Sequence, residues 1–157
     1  MMHAFLLAAT LAAAPPFTSL DKTGPETAVR HVSGAELTQA LTAAKKPGDY
    51  YAQALLSKGE HYQVINTIRD KDGQAEVHAA WNDNIFVQEG EASFVTGGTA
   101  VDAQDTAPGE KRGTSIKGGK TMTMRPGDYF FVPAGTPHQM IVAPGKHLRF
   151  IAFKTHN

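Results

Sequence analysis

Residues 127–140 read GDYFFVPAGTPHQM, a strand stopped twice by proline and once by glycine on the way to His138. Just ahead of it, Pro126 presets the first corner of a turn and Gly127 accepts the positive φ of the second. Pro133 then ends the strand, and Gly135 and Pro137 shape another turn. A surface turn does not need two prolines, and a core histidine does not need the turn. His138 opens a strand in which Met140 and Val142 share its face, both apolar. One histidine at the rim of an apolar face points to a ligand at the mouth of a barrel.

Outward from that segment the pattern is mostly β. Ser33 followed by Glu36 makes a capping box, and Leu37 and Leu41 lie four apart, which predicts one short helix from 33 to about 45. KKPGD stops it. YAQALLSK and HYQVINTIR read as strands, the second with Tyr62, Val64, Asn66 and Ile68 on one face. QAEVHAAW is another. NIFVQEGEASFVTGG is expected to be a hairpin turning at Glu89-Gly90-Glu91. Residues 97–120 read as a long Gly-rich insertion with one short strand near Thr114 to Ile116. TMTM, YFFV, HQMIVA and HLRFIAF complete an all-β sandwich or barrel with a short N-terminal helix.

Composition narrows the function classes. The 157 residues hold 41% apolar and 19% charged side chains, as in an ordinary globular protein with one core. Fifteen Lys+Arg balance fifteen Asp+Glu, so no net field draws the chain to nucleic acid or to an acidic membrane. A neutral or weakly anionic small molecule suits that balance better. There are no cysteines, so any metal must be held by His, Asp or Glu. The apolar run AFLLAATLAAA at residues 4–14, ending in Ala12-x-Ala14 as the small residues of a cleavage site, fits a signal-peptide core and is too short to span a membrane. The expectation is export to the periplasm or beyond; a cytoplasmic protein with an N-terminal tail is the alternative. The chain then divides into a leader or tail (1–18), an arm with the helix (19–50) and a barrel (51–157).

Gly127, Pro133, Gly135 and His138 occupy all four fixed positions of G-x5-P-x-G-x2-H. In this the chain resembles the cupin superfamily, over roughly residues 60–153. The resemblance implies a double-stranded β-helix, a jelly-roll barrel in which that histidine binds a divalent metal. The family's first motif, G-x5-H-x-H-x3–4-E-x6-G, matches in part. Anchored on Gly90, it places Asp83 at the glutamate, His78 at the second histidine and Glu76 at the first, with Asp70 at the leading glycine and Gly73 nearby. A second register puts His78 first and Ala80 second, but spaces Asp83 too closely. Strand alternation favours the first register: Glu76, His78 and Ala80 share one face, and Asp83, Ile85 and Val87 share the next.

The candidate metal ligands are therefore His78, Asp83, His138 and Glu76, a set suited to Fe, Mn, Zn, Ni or Co. Glu76 has two other readings, a general base beside the metal or an ion pair with Arg125 or Arg149. His138 is otherwise a structural histidine, Asp83 a turn residue after Trp81-Asn82. Trp81, Ile85 and Met140 are expected at the substrate pocket, Trp81 otherwise packing on the rim. His3, His31, His61, His147 and His156 lack motif support, and the family's trailing asparagine is Val142 here. The resemblance implies a metal-dependent small-molecule enzyme of dioxygenase, isomerase or lyase type, with dioxygenase chemistry slightly ahead. Its rival is a non-catalytic module binding a sugar, a small organic ligand or a metal. A homodimer exchanging N-terminal arms is a further expectation, and neither a nucleic-acid nor, after processing, a membrane partner is expected.

Overall fold

The structure is a computed structural model that describes residues 17–19 and 29–157; the apolar run at 4–14 and the proposed cleavage site lie outside them. Helix α1 (Gly34–Ala44) forms where the capping box predicts it: the Ser33 hydroxyl accepts from Glu36 N–H, and the Glu36 carboxylate accepts from Ser33 N–H at 2.8 Å. Among the described residues, no helix is long and apolar enough to cross a membrane.

The strands run in chain order β1 (Phe17–Ser19), β2 (Tyr51–Lys58), β3 (Tyr62–Arg69), β4 (Ala75–His78), β5 (Trp81–Gly90), β6 (Ala92–Thr96), β7 (Thr99–Val101), β8 (Gln104–Ala107), β9 (Glu110–Gly113), β10 (Ser115–Lys117), β11 (Lys120–Met124), β12 (Tyr129–Val132), β13 (His138–Ile141) and β14 (Leu148–His156). One six-stranded sheet is ordered β1-β2-β3-β14-β5-β12, the other β11-β6-β13-β4-β9-β8, with β10 and β7 as a small pair beside them. Every described pairing is antiparallel except β1 with β2. Two mostly antiparallel sheets closing on a shared interior make the expected jelly roll.

The interior fills with the inward halves of these strands, led by Ile85, Phe94, Met124, Val132, Leu148 and Phe150. On the outer face of the first sheet, Leu41 and Ala40 of α1 pack over Ala54 and Leu56, with Val64, Ile68 and Ile151 partly buried beside them. β3 thus has two working faces. Val64, Asn66 and Ile68 meet the helix, where the Asn66 amide donates to Leu37 C=O; Gln63, Ile65, Thr67 and Arg69 line a cleft inside.

Two expectations change. The segment around Gly90 is not a hairpin: β5 pairs with β14 and β12, whereas β6 pairs with β11 and β13, so the chain turns a corner from one sheet into the other. Gly90 makes that corner possible at φ 80°, because a Cβ there would sit 1.9 Å from the His147 carbonyl oxygen. Residues 97–120 are not a loop with one strand but carry four, and β9 pairs along the whole of β4. Its alternating glycines and charges hid that role, since they offer no apolar period.

Candidate metal centre

The two turns of the opening segment now have visible anchors. Gly127 lies at φ 90° and donates to Val87 C=O, while Gly135 lies at φ 78° and donates to the carbonyl of His78 at 2.7 Å. Ala134 N–H donates to the Asn82 side chain at 2.9 Å. The stiff approach to His138 is therefore clamped directly onto residues 78–82. His138 pairs across the ladder with Glu76, and Val132 with Asp83.

These registers bring the predicted residues together. Ligand atoms of Glu76, His78 and His138 all lie within 4.8 Å of one another. Asp83 Oδ2 stands 3.4 Å from Nε2 of both His78 and His138, and Glu76 Oε2 is 3.3 Å from His78 Nε2. His78, Asp83 and His138 are buried, at 3%, 5% and 4% exposure. Ala80 lies beyond the end of β4 at His78.

Each imidazole is oriented by its far nitrogen. His138 Nδ1–H donates to the Thr136 carbonyl at 3.0 Å, and His78 Nδ1–H donates to Glu110 at 2.5 Å. Carbonyl and carboxylate oxygens accept only, so in each neutral ring the Nε2 lone pair faces the shared centre. Oriented rings of this kind are what metal-binding histidines need.

Sequence reasoning missed three charged residues here. Arg112, not Arg125 or Arg149, partners Glu76, at 3.6 Å, and it also donates to Glu110 at 3.0 Å. Arg125 and Arg149 stand against Glu91 and Glu89 instead. Lys154 Nζ lies 3.0 Å from His78 Nε2 and 2.7 Å from Asp83 Oδ1. That last contact lacks hydrogen-bond geometry, so Oδ1 is a buried acceptor without a hydrogen bond. The signal available for Lys154 was its place on the face of Phe150 and Ala152 in β14, where a charge breaks an apolar alternation.

Electrostatics follows from these neighbours. Burial by itself would raise the Glu76 carboxyl, but His78, then Arg112 and His138, overcome it and hold it at about 2. Asp83, likewise opposed by burial, is pulled well below the usual carboxylate range by the two imidazoles and Lys154. Burial also disfavours a charged His78, yet Asp83 and Glu76 lift it to about 9 against that penalty and against Lys154. Three carboxylates (Glu76, Asp83, Glu110) face two cationic side chains (Arg112, Lys154), so the cluster holds one further positive charge. A proton on His78 satisfies it; a divalent cation would also offset the excess negative charge, and would displace that proton. The donors present therefore fit a metal of the nitrogen- and oxygen-binding kind. Lys154 marks the edge of the space such an ion has.

Glu76, His78, Asp83 and His138 line a cleft of about 1400 Å³ between the sheets. Trp81, Ile85 and Met140 line it, with Trp81 also edge-on to His156 at 4.9 Å. His61 stands near His156 and beside Glu60, and His147 backs Gly90, away from the centre.

Comparison with known proteins agrees with this architecture. Residues 109–154, from β9 to Lys154, match the family description "Cupin domain"; Glu76, His78 and Asp83 lie outside the matched part. No curated protein matches the chain by sequence. Among solved structures, the conserved SPY1581 protein of unknown function from Streptococcus pyogenes superposes with a TM-score of 0.53 at 13% identity, over 82% of this chain and 91% of that one. KdgF from a Halomonas species gives 0.50 at 12%, over 72% and 86%. The DMSP lyase DddQ from Ruegeria pomeroyi gives 0.50 at 16%, over 69% and 48%. At these identities the likeness is one of fold.

Proposed function

We propose, from the cupin-domain match over residues 109–154 and the jelly-roll fold, that the chain is a divalent-metal-dependent enzyme acting on a small organic molecule in the cleft between its sheets. One observation carries the reading: two buried imidazoles, each fixed through Nδ1, turn Nε2 towards the same Asp83 oxygen. Glu76 completes the set. Bound there, Fe, Mn, Zn, Ni or Co would supply Lewis acidity to a substrate oxygen or, for a redox-active ion, electron transfer.

The chain's own residues favour reactions that place negative charge on a substrate oxygen. Lys154 presents an ammonium at the centre, and its side chain is only 15% exposed. The Tyr51 hydroxyl, lining the same cleft, is kept protonated by burial and by Glu76, so it can donate but not accept a proton. Glu76, ionised down to about 2, suits a ligand better than a general base. Isomerase or lyase chemistry develops such charge, which Lys154 and the Tyr51 hydroxyl would stabilise while Glu76 helps to hold the metal. A second reading, dioxygenase-type chemistry, is favoured by the two-imidazole, one-carboxylate donor set.

The test is metal content by mass spectrometry after reconstitution with Fe, Mn and Zn. Stoichiometric metal in the wild type, lost in His78→Ala and His138→Ala, supports the reading. Sub-stoichiometric metal overturns it, and retention by His138→Ala overturns the site. Turnover of a panel of keto and hydroxy acids, followed with an oxygen electrode, then separates the two chemistries: oxygen uptake selects the second. Binding without turnover would make the protein a non-catalytic module.

A further inference from the structure

Arg69 is the last residue of β3, lines the cleft and is 7% exposed. Among the described residues its side chain makes no ion pair and no hydrogen bond, and its Nε is buried without a partner. Its guanidinium lies over the ring of Tyr51, its cross-strand partner, at 4.6 Å. Gly73 leaves room for it: a Cβ at that position would be 2.5 Å from Nη1. By contrast Arg112, the other guanidinium in the cleft, is taken up by Glu76 and Glu110. A buried, unpaired cation is costly, and a ring and a bare glycine do not neutralise it.

We propose that Arg69 is the substrate-anchoring residue, binding the carboxylate of an organic acid whose other end reaches Glu76, His78 and His138. This rests on the metal-enzyme reading and names its substrate class. One planar guanidinium, held flat by Tyr51, offers paired N–H donors that match two carboxylate oxygens. The Tyr51 hydroxyl, Gln53 and Thr67 line the same wall as neutral donors. A phosphate dianion fits less well, because only one unpaired cation waits there while Glu76, Asp72 and Asp83 line the same cleft. The near-neutral chain thus takes an anion by a local charge, not by a net field.

The experiment compares benzoate with benzamide and succinate with succinamide, by calorimetry and thermal shift on the full chain, metal-loaded and metal-free. At least one acid binds and raises Tm where its amide does not, and the preference persists without metal, so direct coordination does not explain it. Arg69→Met loses about thirtyfold or more in affinity for that acid. It keeps wild-type metal content, and its ligand-free Tm is unchanged or higher, because an unpaired buried charge has gone. Arg69→Lys keeps the charge and recovers only part of the affinity. If no acid outbinds its amide, or if both Arg69 variants bind it as the wild type does, the inference fails. An acid preference that depends on Arg69 in a protein that takes up no metal would keep this inference and sink the metal reading; metal uptake without that preference would do the reverse.

Discussion

His138 and His78 face each other at 5.2 Å between ring centres, yet the chain fixes them by different means. His138 is aimed by its own segment: Pro133, Gly135 and Pro137 set the turn, and the main-chain carbonyl of Thr136, two residues away, accepts from Nδ1–H. His78 sits on a short strand whose neighbours say little, and is aimed by the side chain of Glu110, 32 residues on. One imidazole is held by backbone and the other by charge. A backbone hold tolerates side-chain change and pH, whereas a charged hold is open to both.

The largest expected contrast is in pH. His78 is raised to about 9, so its contribution to stability is fully present below its unfolded value of ~6.5 and is lost as pH rises through about 9. Glu76, lowered to about 2, and Asp83, also lowered, contribute above their unfolded values near ~4, and that part is lost as pH falls towards 2. Urea midpoints of the metal-free protein are therefore expected to be highest between about pH 5 and 6.5, with the alkaline limb spanning at most about 3 kcal/mol. Saturating the protein with metal should flatten that limb, since a ligating His78 carries no extra proton. An alkaline limb unchanged in His78→Gln would break the comparison, because the charge would then reside elsewhere.

Next in size is the loss of each orienting group. Glu110→Gln should weaken metal binding about 10- to 100-fold, as removal of a hydrogen-bonded carboxylate behind a ligating imidazole does. Thr136→Ala should leave affinity within about twofold, since the acceptor is the main-chain carbonyl and survives the change. Equal losses in competition titrations against a chelator would show that the two rings are not held differently.

The smallest effect expected is a gain. Lys154 stands 3.0 Å from His78 Nε2, and a cation beside a cation site is repulsive. Lys154→Met should tighten divalent-metal binding several-fold and slow turnover, a split visible by running the titration and the rate assay on one sample. Weaker metal binding in Lys154→Met would mean that the ammonium positions Asp83 more than it opposes the ion.

How much of this was legible depended on the distance over which each feature is fixed. Helix α1, the bounds of β2, β3 and β12, and the role of Gly127 and Gly135 follow from residues adjacent in sequence, where φ, capping and alternation act directly. The ligand faces of β4 and β5 were also legible, because period-two alternation assigns Glu76, His78 and Asp83 to a side. The corner at Gly90 was misread, since a glycine turn between two strands looks alike whether they pair or part into separate sheets.

By itself, then, the sequence determined the jelly roll, the position of His138 and which residues point inward. The tertiary structure decided what stands opposite them: Glu110 behind His78, Arg112 against Glu76, Lys154 between His78 and Asp83, and Arg69 left without a partner. The reason is physical. Alternation along a strand states the face of a side chain but not the strand across from it, and Lys154 meets His78 across a sequence separation of 76. Charges converge at such distances only after two sheets have closed, so the chemistry of the centre is a property of that closure.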